Sequence, residues 1–224
     1  MGARTPFGFR EWYHCYSRGV DKRATFLDDH DYLCFLQLVY LANSDRILQR
    51  SSFSGFTHRE RLQVPRGERL VAVGAYCLMP NHFHLLVQEA TEGGISKFMQ
   101  RLGTAYAMYF NAKYERTGNL FVKPFRSKHV NHDRYFRYVA QYIHLNAAEV
   151  YEPGWKQGRV DDIRALERNL CKFAYSSLPD YCSASRAEAN LLDSSARILI
   201  AEGLPPLASV LDEAALYYRE ILKD

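Results

Sequence analysis

Two histidines stand two positions apart in the run MPNHFHLLV, at His82 and His84. On a β-strand, residues at i and i+2 point to the same face, so both imidazoles would share one face while Phe83 and Leu85 point into the core. Two neighbouring imidazoles can share a metal ion. A pair of this kind is equally consistent with two histidines that only make hydrogen bonds, so it marks a candidate metal site.

A second group of polar side chains follows at helical spacing. Tyr135, Tyr138, Tyr142 and Asn146 are separated by 3, 4 and 4 positions, and they therefore share one face of a helix. An apolar stripe on the same helix predicts its core-facing side and consists of Phe136, Val139, Ile143 and Ala147. Tyr135 and Tyr138 are interpreted as packed rings with their hydroxyls toward water. For Tyr142, simple packing is not the favoured interpretation.

The elements that must position these side chains alternate between strands and helices. The pattern predicts strands over 11–18, 70–78, 82–88 and 120–130, and helices over 29–50, 95–114 and 133–149, the last capped by Asp133. This order predicts an α+β fold, a ferredoxin-like or RRM-like sandwich in which helices cover one face of a central antiparallel sheet. The other face would be free for a ligand.

Pro153 and Gly154 mark a boundary in the chain. We expect one domain over residues 1–154 and a C-terminal extension over residues 155–224. The extension is predicted to be loop-rich at first and then mostly helical, with helices near 191–201 and 207–222.

The net charge of +4 is unevenly distributed along the chain. Residues 1–150 hold 20 Lys and Arg against 13 Asp and Glu, whereas residues 151–224 hold 9 against 12. The excess of basic residues over positions 1–150 suits binding to a polyanion such as nucleic acid. A charge of this size also occurs in proteins that bind no nucleic acid.

Cysteine content and hydropathy indicate the cellular compartment in which the protein is expected. The five cysteines are an odd number without a CxxC pair, so reduced, buried thiols are expected rather than a disulfide framework or a structural zinc site. No apolar stretch is long enough to span a bilayer, and the N-terminal residues lack the apolar core of a signal peptide. A cytoplasmic protein without a membrane partner is the resulting expectation.

Four segments carry a resemblance to a known family. YHCYSRGVDKR, MPNHFHLLV, FRSKHV and YVAQYIHLN, in this order and spacing, resemble the REP-associated tyrosine transposases, which are single-tyrosine transposases of the HUH superfamily. The resemblance covers about residues 11–150 and implies an insertion-sequence-type transposase, a DNA-cutting and strand-transferring enzyme. It weakens beyond residue 155.

The resemblance assigns roles to individual residues. It implies that His82 and His84 bind a divalent metal, that Tyr142 attacks DNA as the nucleophile, and that Asn146 completes the metal site. The expected cofactor is Mg²⁺ or Mn²⁺, because two imidazoles and one amide oxygen leave coordination positions open. The family usually has proline where this chain has Ala147, so the helix would extend further than usual.

The implied chemistry is cleavage of single-stranded DNA through a covalent 5′-phosphotyrosine, followed by joining to another strand. A phenol has an ordinary pKa near 10 and is a poor nucleophile at neutral pH, so a cation must polarise the phosphate. Hairpin-forming repetitive palindromes are the substrate that the family implies. The sequence leaves the target sequence and the choice between monomer and homodimer open.

Two groups of basic residues are predicted to contact DNA phosphates. One group follows the first strand and the other lies along the fourth: Arg18, Lys22 and Arg23, and Lys123, Arg126 and Lys128. The family more often has glycine and arginine before Phe125, so the local contacts there could differ.

Three other functions are weighed against this one. A histidine-triad nucleotide hydrolase needs a third histidine where Leu86 stands, and a generic metal-dependent hydrolase would show acidic ligands beside the histidine pair. A non-catalytic DNA hairpin-binding protein derived from a transposase is the alternative function, and the presence of Tyr142, His82 and His84 argues against it.

Overall fold

The computed structural model describes residues 6–157, 159–182, 185–201, 203–207 and 209–211. Its centre is a four-stranded antiparallel sheet in the order β2-β3-β1-β4. The strands are β1 (Trp12–Arg18), β2 (Val71–Met79), β3 (His82–Glu89) and β4 (Arg126–Val130). The α+β class and the antiparallel sheet are therefore confirmed.

Two long helices pack on the first face of the sheet, which is the face of Cys15, Phe83 and Leu85. They are α1 (Asp29–Ala42) and α3 (Gly94–Lys113), and a short helix α2 (His58–Arg61) lies between them in the chain. Asp28 caps α1 by accepting a hydrogen bond from the Asp31 amide, which satisfies one of the helix's unpaired donors.

The second face of the sheet is the face of Trp12, His14 and His84, and it is also covered by helices. Helix α4 (Asp133–Leu145) lies on it, and the Phe136 ring meets Trp12 at a centroid distance of 4.7 Å. The remaining helices pack around α4 on the same side: α5 (Ala148–Tyr151), α6 (Ile163–Leu170), α7 (Leu178–Cys182) and α8 (Ser194–Ala201), of which α8 also contacts β2. The expectation of helices on one face only, with the other left free, is wrong. The strands also present apolar side chains here, such as Ala75, Cys77 and Leu86, which must be buried.

One glycine allows this close packing of α4. Gly74 lies at the irregularity in the pairing of β2 with β3. A Cβ atom at this position would lie 3.0 Å from Trp12 and 3.1 Å from Phe136, which is tighter than ordinary van der Waals contact. Only a residue without a side chain therefore leaves the two rings where they are.

Several element boundaries differ from the sequence-based expectation. The fourth strand covers only Arg126–Val130 of the predicted 120–130, and Phe121 makes an isolated bridge with Gly19. Helix α4 ends at Leu145, and α5 follows as a separate turn instead of a continuation to residue 149. Residues 191–201 form the end of a short 3₁₀ turn and α8, and most of the helix predicted over 207–222 lies outside the described residues.

The C-terminal extension shares a core with α4. Trp155, Leu166 and Leu170 belong to the same buried cluster as Tyr142 and Ile143. The domain boundary after residue 154 stays a prediction. In the part of the chain that the structure describes, no helix is both long and apolar enough to cross a membrane.

Two of the five cysteines are bonded, contrary to the expectation of reduced thiols throughout. Cys171 and Cys182 form a disulfide with an S–S distance of 2.10 Å. It joins the end of α6 to the end of α7 within the extension. Cys15, Cys34 and Cys77 are buried thiols outside this disulfide, as expected.

Candidate active site on the second face of the sheet

Neighbouring strands bring four ring side chains together on the second face. His82 and His84 lie on β3, and Tyr16 of β1 is directly opposite His84. His14 precedes Tyr16 by two positions and shares its face. Phe83 and Leu85 belong to the core of the first face, so the alternation predicted from the sequence is observed.

Hydrogen bonds orient the two histidines of β3. His82 Nδ1 lies 2.6 Å from Asn81 Oδ1, while the amide nitrogen of Asn81 donates to the Lys22 carbonyl at 3.2 Å. Since Asn81 Oδ1 can only accept, His82 carries its proton on Nδ1 and presents the lone pair of Nε2. His84 Nδ1 shares a hydrogen bond of 2.8 Å with His14 Nε2.

One ring nitrogen of His84, Nε2, is buried and has no hydrogen-bond partner among the described residues. A buried polar atom without a partner is unusual in a folded protein. This atom is therefore a candidate ligand for a group that completes the site.

The surroundings hold the imidazoles in their neutral form. Burial lowers the pKa of His82 to about 3, assisted by the nearby charges of Lys156 and Arg18. Burial, followed by the proximity of His14, lowers the pKa of His84 well below its usual value. Burial also lowers the pKa of His14 to about 3. Neutral imidazole is the form that coordinates metal ions.

Helix α4 places Tyr142 over the histidines. The Tyr142 ring centroid lies 5.8 Å from His14 and 6.0 Å from His84, in edge-on arrangements. The exposed fraction of Tyr142 is 0%. Tyr135 and Tyr138 are partly exposed and lie parallel at 6.3 Å, as their interpretation as packed rings predicts.

Asn146 caps the C-terminus of α4 beside the same histidines. Its amide nitrogen donates to the Tyr142 carbonyl at 3.0 Å. Its Oδ1 atom is buried with no hydrogen-bond partner in the described part of the chain. The amide side chain lies close enough to His82 to raise the pKa of that imidazole slightly against the effect of burial.

These side chains fit a divalent cation. His84 Nε2 and Asn146 Oδ1 are buried atoms without protein partners, and His82 offers a lone pair beside them. Two nitrogens and one amide oxygen form an open donor set. No group of three His, Cys, Asp or Glu that could hold a metal ion gathers among the described residues, so a cation bound here would need the amide oxygen of Asn146 beside the two imidazoles.

The predicted DNA contacts lie in three places. Arg18 is opposite His82, Arg126 is opposite Tyr16 and Lys128 is opposite His14, so all three lie on strands that border the site. Lys22 and Arg23 lie in the turn after β1, where Arg23 pairs with Asp21 at 3.1 Å. Lys123 is exposed in the loop before β4.

Three residues around the site were not singled out from the sequence. His14 and Tyr16 occupy alternate positions of the run EWYHCYSR, so strand alternation could have found them. The charge of Lys156 lowers the pKa of His82 and His84. It comes from a 3₁₀ turn of the extension, and no local sequence pattern marks it.

One protein family matches part of this chain. Residues 59–146, which include both histidines, Tyr142 and Asn146, match the protein family described as "Transposase IS200 like". This segment is similar to the IS200-like transposases and makes up 88 of the 224 residues of the chain. No curated protein sequence matches the chain.

A solved structure shares the transposase fold of this chain. It is described as the structure of a REP-associated tyrosine transposase bound to a REP hairpin. The superposition has a TM-score of 0.50 and covers 80% of this chain and 84% of that one, at 11% sequence identity. At this identity, the likeness establishes a common fold.

Proposed function

We propose that this protein acts as an IS200-like transposase that cuts single-stranded DNA and transfers the cut strand, with Tyr142 as the nucleophile. The observation that carries the proposal is the position of the Tyr142 ring, 6.0 Å from the His84 ring. Two buried atoms without protein partners, His84 Nε2 and Asn146 Oδ1, lie in the same site. A nucleophile beside an incomplete donor set is what metal-assisted phosphoryl transfer requires.

In the first step, the Tyr142 hydroxyl loses its proton to solvent, and its oxygen attacks the phosphorus of a DNA phosphodiester. A bond forms between the tyrosine oxygen and phosphorus, and the bond from phosphorus to the 3′ oxygen breaks. The products are a 5′-phosphotyrosine and a strand whose 3′ oxygen takes up a proton. A 3′-OH of another strand reverses these changes and releases Tyr142, so no nucleotide cofactor is consumed.

His82, His84 and Asn146 would hold a divalent cation, Mg²⁺ or Mn²⁺. When bound, this cation would supply the positive charge that polarises the phosphate and favours the phenolate. The chain's own contribution is to keep both imidazoles neutral through burial and to aim them through Asn81 and His14.

The burial of Tyr142 sets a condition on the reaction. Because the exposed fraction of this side chain is 0%, DNA reaches it only when the packing around the C-terminal half of α4 opens locally. Local opening costs less free energy than global unfolding and is common at functional sites. We therefore expect cleavage to be slower than DNA binding.

The substrate that we propose is a DNA hairpin of the repetitive palindromic type with single-stranded flanks. The fold is shared with a protein whose structure holds a REP hairpin. Cations at the border of the site, Arg18, Arg126 and Lys128, would bind the phosphates of such a strand.

The test is covalent trapping. The protein is incubated with a library of single-stranded hairpin DNA in Mn²⁺ or Mg²⁺ and resolved on a denaturing gel, and the attached residue is identified by mass spectrometry. We expect a metal-dependent adduct on Tyr142 that Tyr142→Phe abolishes without loss of DNA binding. The matched control is Tyr138→Phe, one turn earlier on the same helix, which should keep the adduct.

Two results would contradict the proposal. An adduct that survives Tyr142→Phe would exclude this residue as the nucleophile. Tight hairpin binding without an adduct in any divalent metal would favour the alternative, a non-catalytic DNA hairpin-binding protein. The full burial of Tyr142 is the observation that favours that alternative.

A further inference from the structure

A second site lies at the edge of the sheet, beyond β4. A cavity of about 770 Å³ is enclosed between the segment that precedes β1, the loop that precedes β4, and the edge strand itself. Its size lies within the range of small-molecule sites, which is roughly 300–1,000 Å³. The side chains that matter here are Phe7, Tyr13, Phe125 and His129, with Lys123 and Arg126.

Aromatic rings form the walls of this cavity. Phe7 meets Tyr13 edge-on at 4.7 Å, and Tyr13 lies 5.0 Å from the His129 ring. The rings of Phe7 and Phe125 are almost parallel, with 7° between their planes and 6.3 Å between their centroids. A planar group placed against either ring would therefore lie parallel to both.

The charges at the cavity are mainly positive. Lys123 and Arg126 line it with exposed side chains. His129, which lines the cavity, is paired with the carboxylate of Glu11 at 2.9 Å. Flat rings beside cations suit a ligand that combines a planar aromatic group with negative charge, as a nucleotide does.

The sheet connects this cavity to the tyrosine site. Tyr16 lines the cavity, and its ring lies 5.7 Å from the His84 ring. Arg126 and Lys128, which are opposite Tyr16 and His14, lie on the edge strand β4. Neighbouring strands are about 4.8 Å apart, so β4 lies roughly 10 Å from His84 on β3. A DNA strand that crosses these cations from Tyr142 arrives at the edge where the cavity opens.

We propose that this cavity holds an unpaired base of the single-stranded DNA that Tyr142 cuts. The base stacks against the aligned rings of Phe7 and Phe125, and Lys123 and Arg126 bind the adjoining phosphates. This inference rests on the proposed function and adds to it a place where a nucleotide flanking the cut is held. Stacking tolerates any base, so the cavity would fix the position of the strand rather than read its full sequence.

The test measures binding by fluorescence anisotropy to a hairpin oligonucleotide with single-stranded thymidine extensions. Phe125→Ala and Phe7→Ala should each weaken binding about 10-fold, which is within the effect of removing one stacking ring. Phe9→Ala is the matched control, since Phe9 is 61% exposed and does not line the cavity. Phe7 precedes the first strand, so Phe7→Ala decides the result if Phe125→Ala proves to be misfolded.

An abasic scan distinguishes base stacking from general damage. One abasic nucleotide is moved along the extension, and one position should weaken wild-type binding by the same factor. At that position, Phe125→Ala should cause no further loss. Equal binding by the variants and the wild type, with the Tyr142 adduct still formed, would overturn the cavity assignment and leave the proposed function standing. A wild-type protein that neither binds the oligonucleotide nor forms the adduct would overturn both.

Discussion

His14 Nε2 lies 2.8 Å from His84 Nδ1, and this contact joins two neighbouring strands across the proposed metal site. A partner on one ring nitrogen orients a metal-binding histidine and sets its tautomer. We predict that His14→Phe, which keeps a flat ring but removes both nitrogens, weakens Mn²⁺ binding about 10-fold. Calorimetric titration with Mn²⁺ measures this, and raising the Mn²⁺ concentration should restore the Tyr142 adduct.

The control for this prediction is His30→Phe. His30 is exposed on α1 at the first face, where it hydrogen-bonds to Tyr109. Unchanged Mn²⁺ affinity in His14→Phe would show that His14 does not position His84, and an adduct that Mn²⁺ fails to restore would assign His14 a different part in the reaction.

The proposed role of Asn146 as a metal ligand depends on one atom, its side-chain oxygen Oδ1. Its Oδ1 is buried without a partner among the described residues, whereas its nitrogen bonds the Tyr142 carbonyl. Asn146→Leu keeps the approximate shape and removes the oxygen, so we expect at least a 10-fold loss of Mn²⁺ affinity and a matching loss of adduct. A thermal melt in EDTA checks folding separately from metal binding. Wild-type Mn²⁺ affinity in a folded Asn146→Leu protein would exclude Asn146 as a ligand.

Arg126 on the edge strand is predicted to bind a DNA phosphate. Each phosphate contact on single-stranded DNA contributes about 0.7 to the slope of log affinity against log salt concentration. Arg126→Gln should therefore lower the magnitude of the slope by about 0.7, measured by anisotropy over a range of NaCl concentrations. Lys97→Gln, an exposed change on α3 at the opposite face, should leave it unchanged. Equal slopes for all three proteins would remove Arg126 from the interface.

The local geometry of the site could be predicted from sequence because its two parts follow local periodicities. Alternation along β3 placed His82 and His84 on one face, and the 3.6-residue period of α4 placed Tyr142 and Asn146 on one side of the helix. The structure brings these two parts together. The contact between β3 and α4 joins parts of the chain that are distant in sequence. The family resemblance implied this contact, whereas periodicity alone does not predict it.

The surroundings of the site could not be predicted, because they depend on contacts distant in sequence. His14 is 70 positions from His84, and only the pairing of β1 with β3 makes them neighbours. Helix α4 was expected to have one buried side, but every residue from Gln141 to Leu145 is buried. The extension covers the side that the sheet does not, for example through the 2.8 Å hydrogen bond between His144 and Ser177. An amphipathic pattern shows that one side is apolar and does not show what covers the other.

Lys113 on α3 and Asp31 on α1 form an ion pair that joins the two helices. Its contribution to stability can be tested without DNA. Asp31 is fully buried and accepts hydrogen bonds from Lys113, Tyr109 and Tyr114, each at 2.8 Å. Burial alone would raise the pKa of this carboxyl, but the hydrogen bonds, led by that from Lys113, hold it below its usual value of 3.8. Removing Lys113 leaves the buried carboxylate without its cation.

We predict that Lys113→Met lowers the free energy of unfolding by about 2 kcal/mol at pH 7, the usual contribution of a hydrogen bond to a charged group. Because the folded pKa of Asp31 is depressed, the stabilisation is present above the unfolded pKa and is lost as the pH falls through the folded one. The difference between wild type and variant should therefore be constant above about pH 5 and shrink below about pH 4. Urea unfolding at a series of pH values measures it, with Lys97→Met as the control on the same helix. Lys113 also donates to the Asp28 carboxylate at 2.7 Å and lowers its pKa, so both carboxylates contribute to the change with pH. A difference that stays the same down to pH 3 would show that Lys113 stabilises α3 by packing rather than through the charges of Asp28 and Asp31.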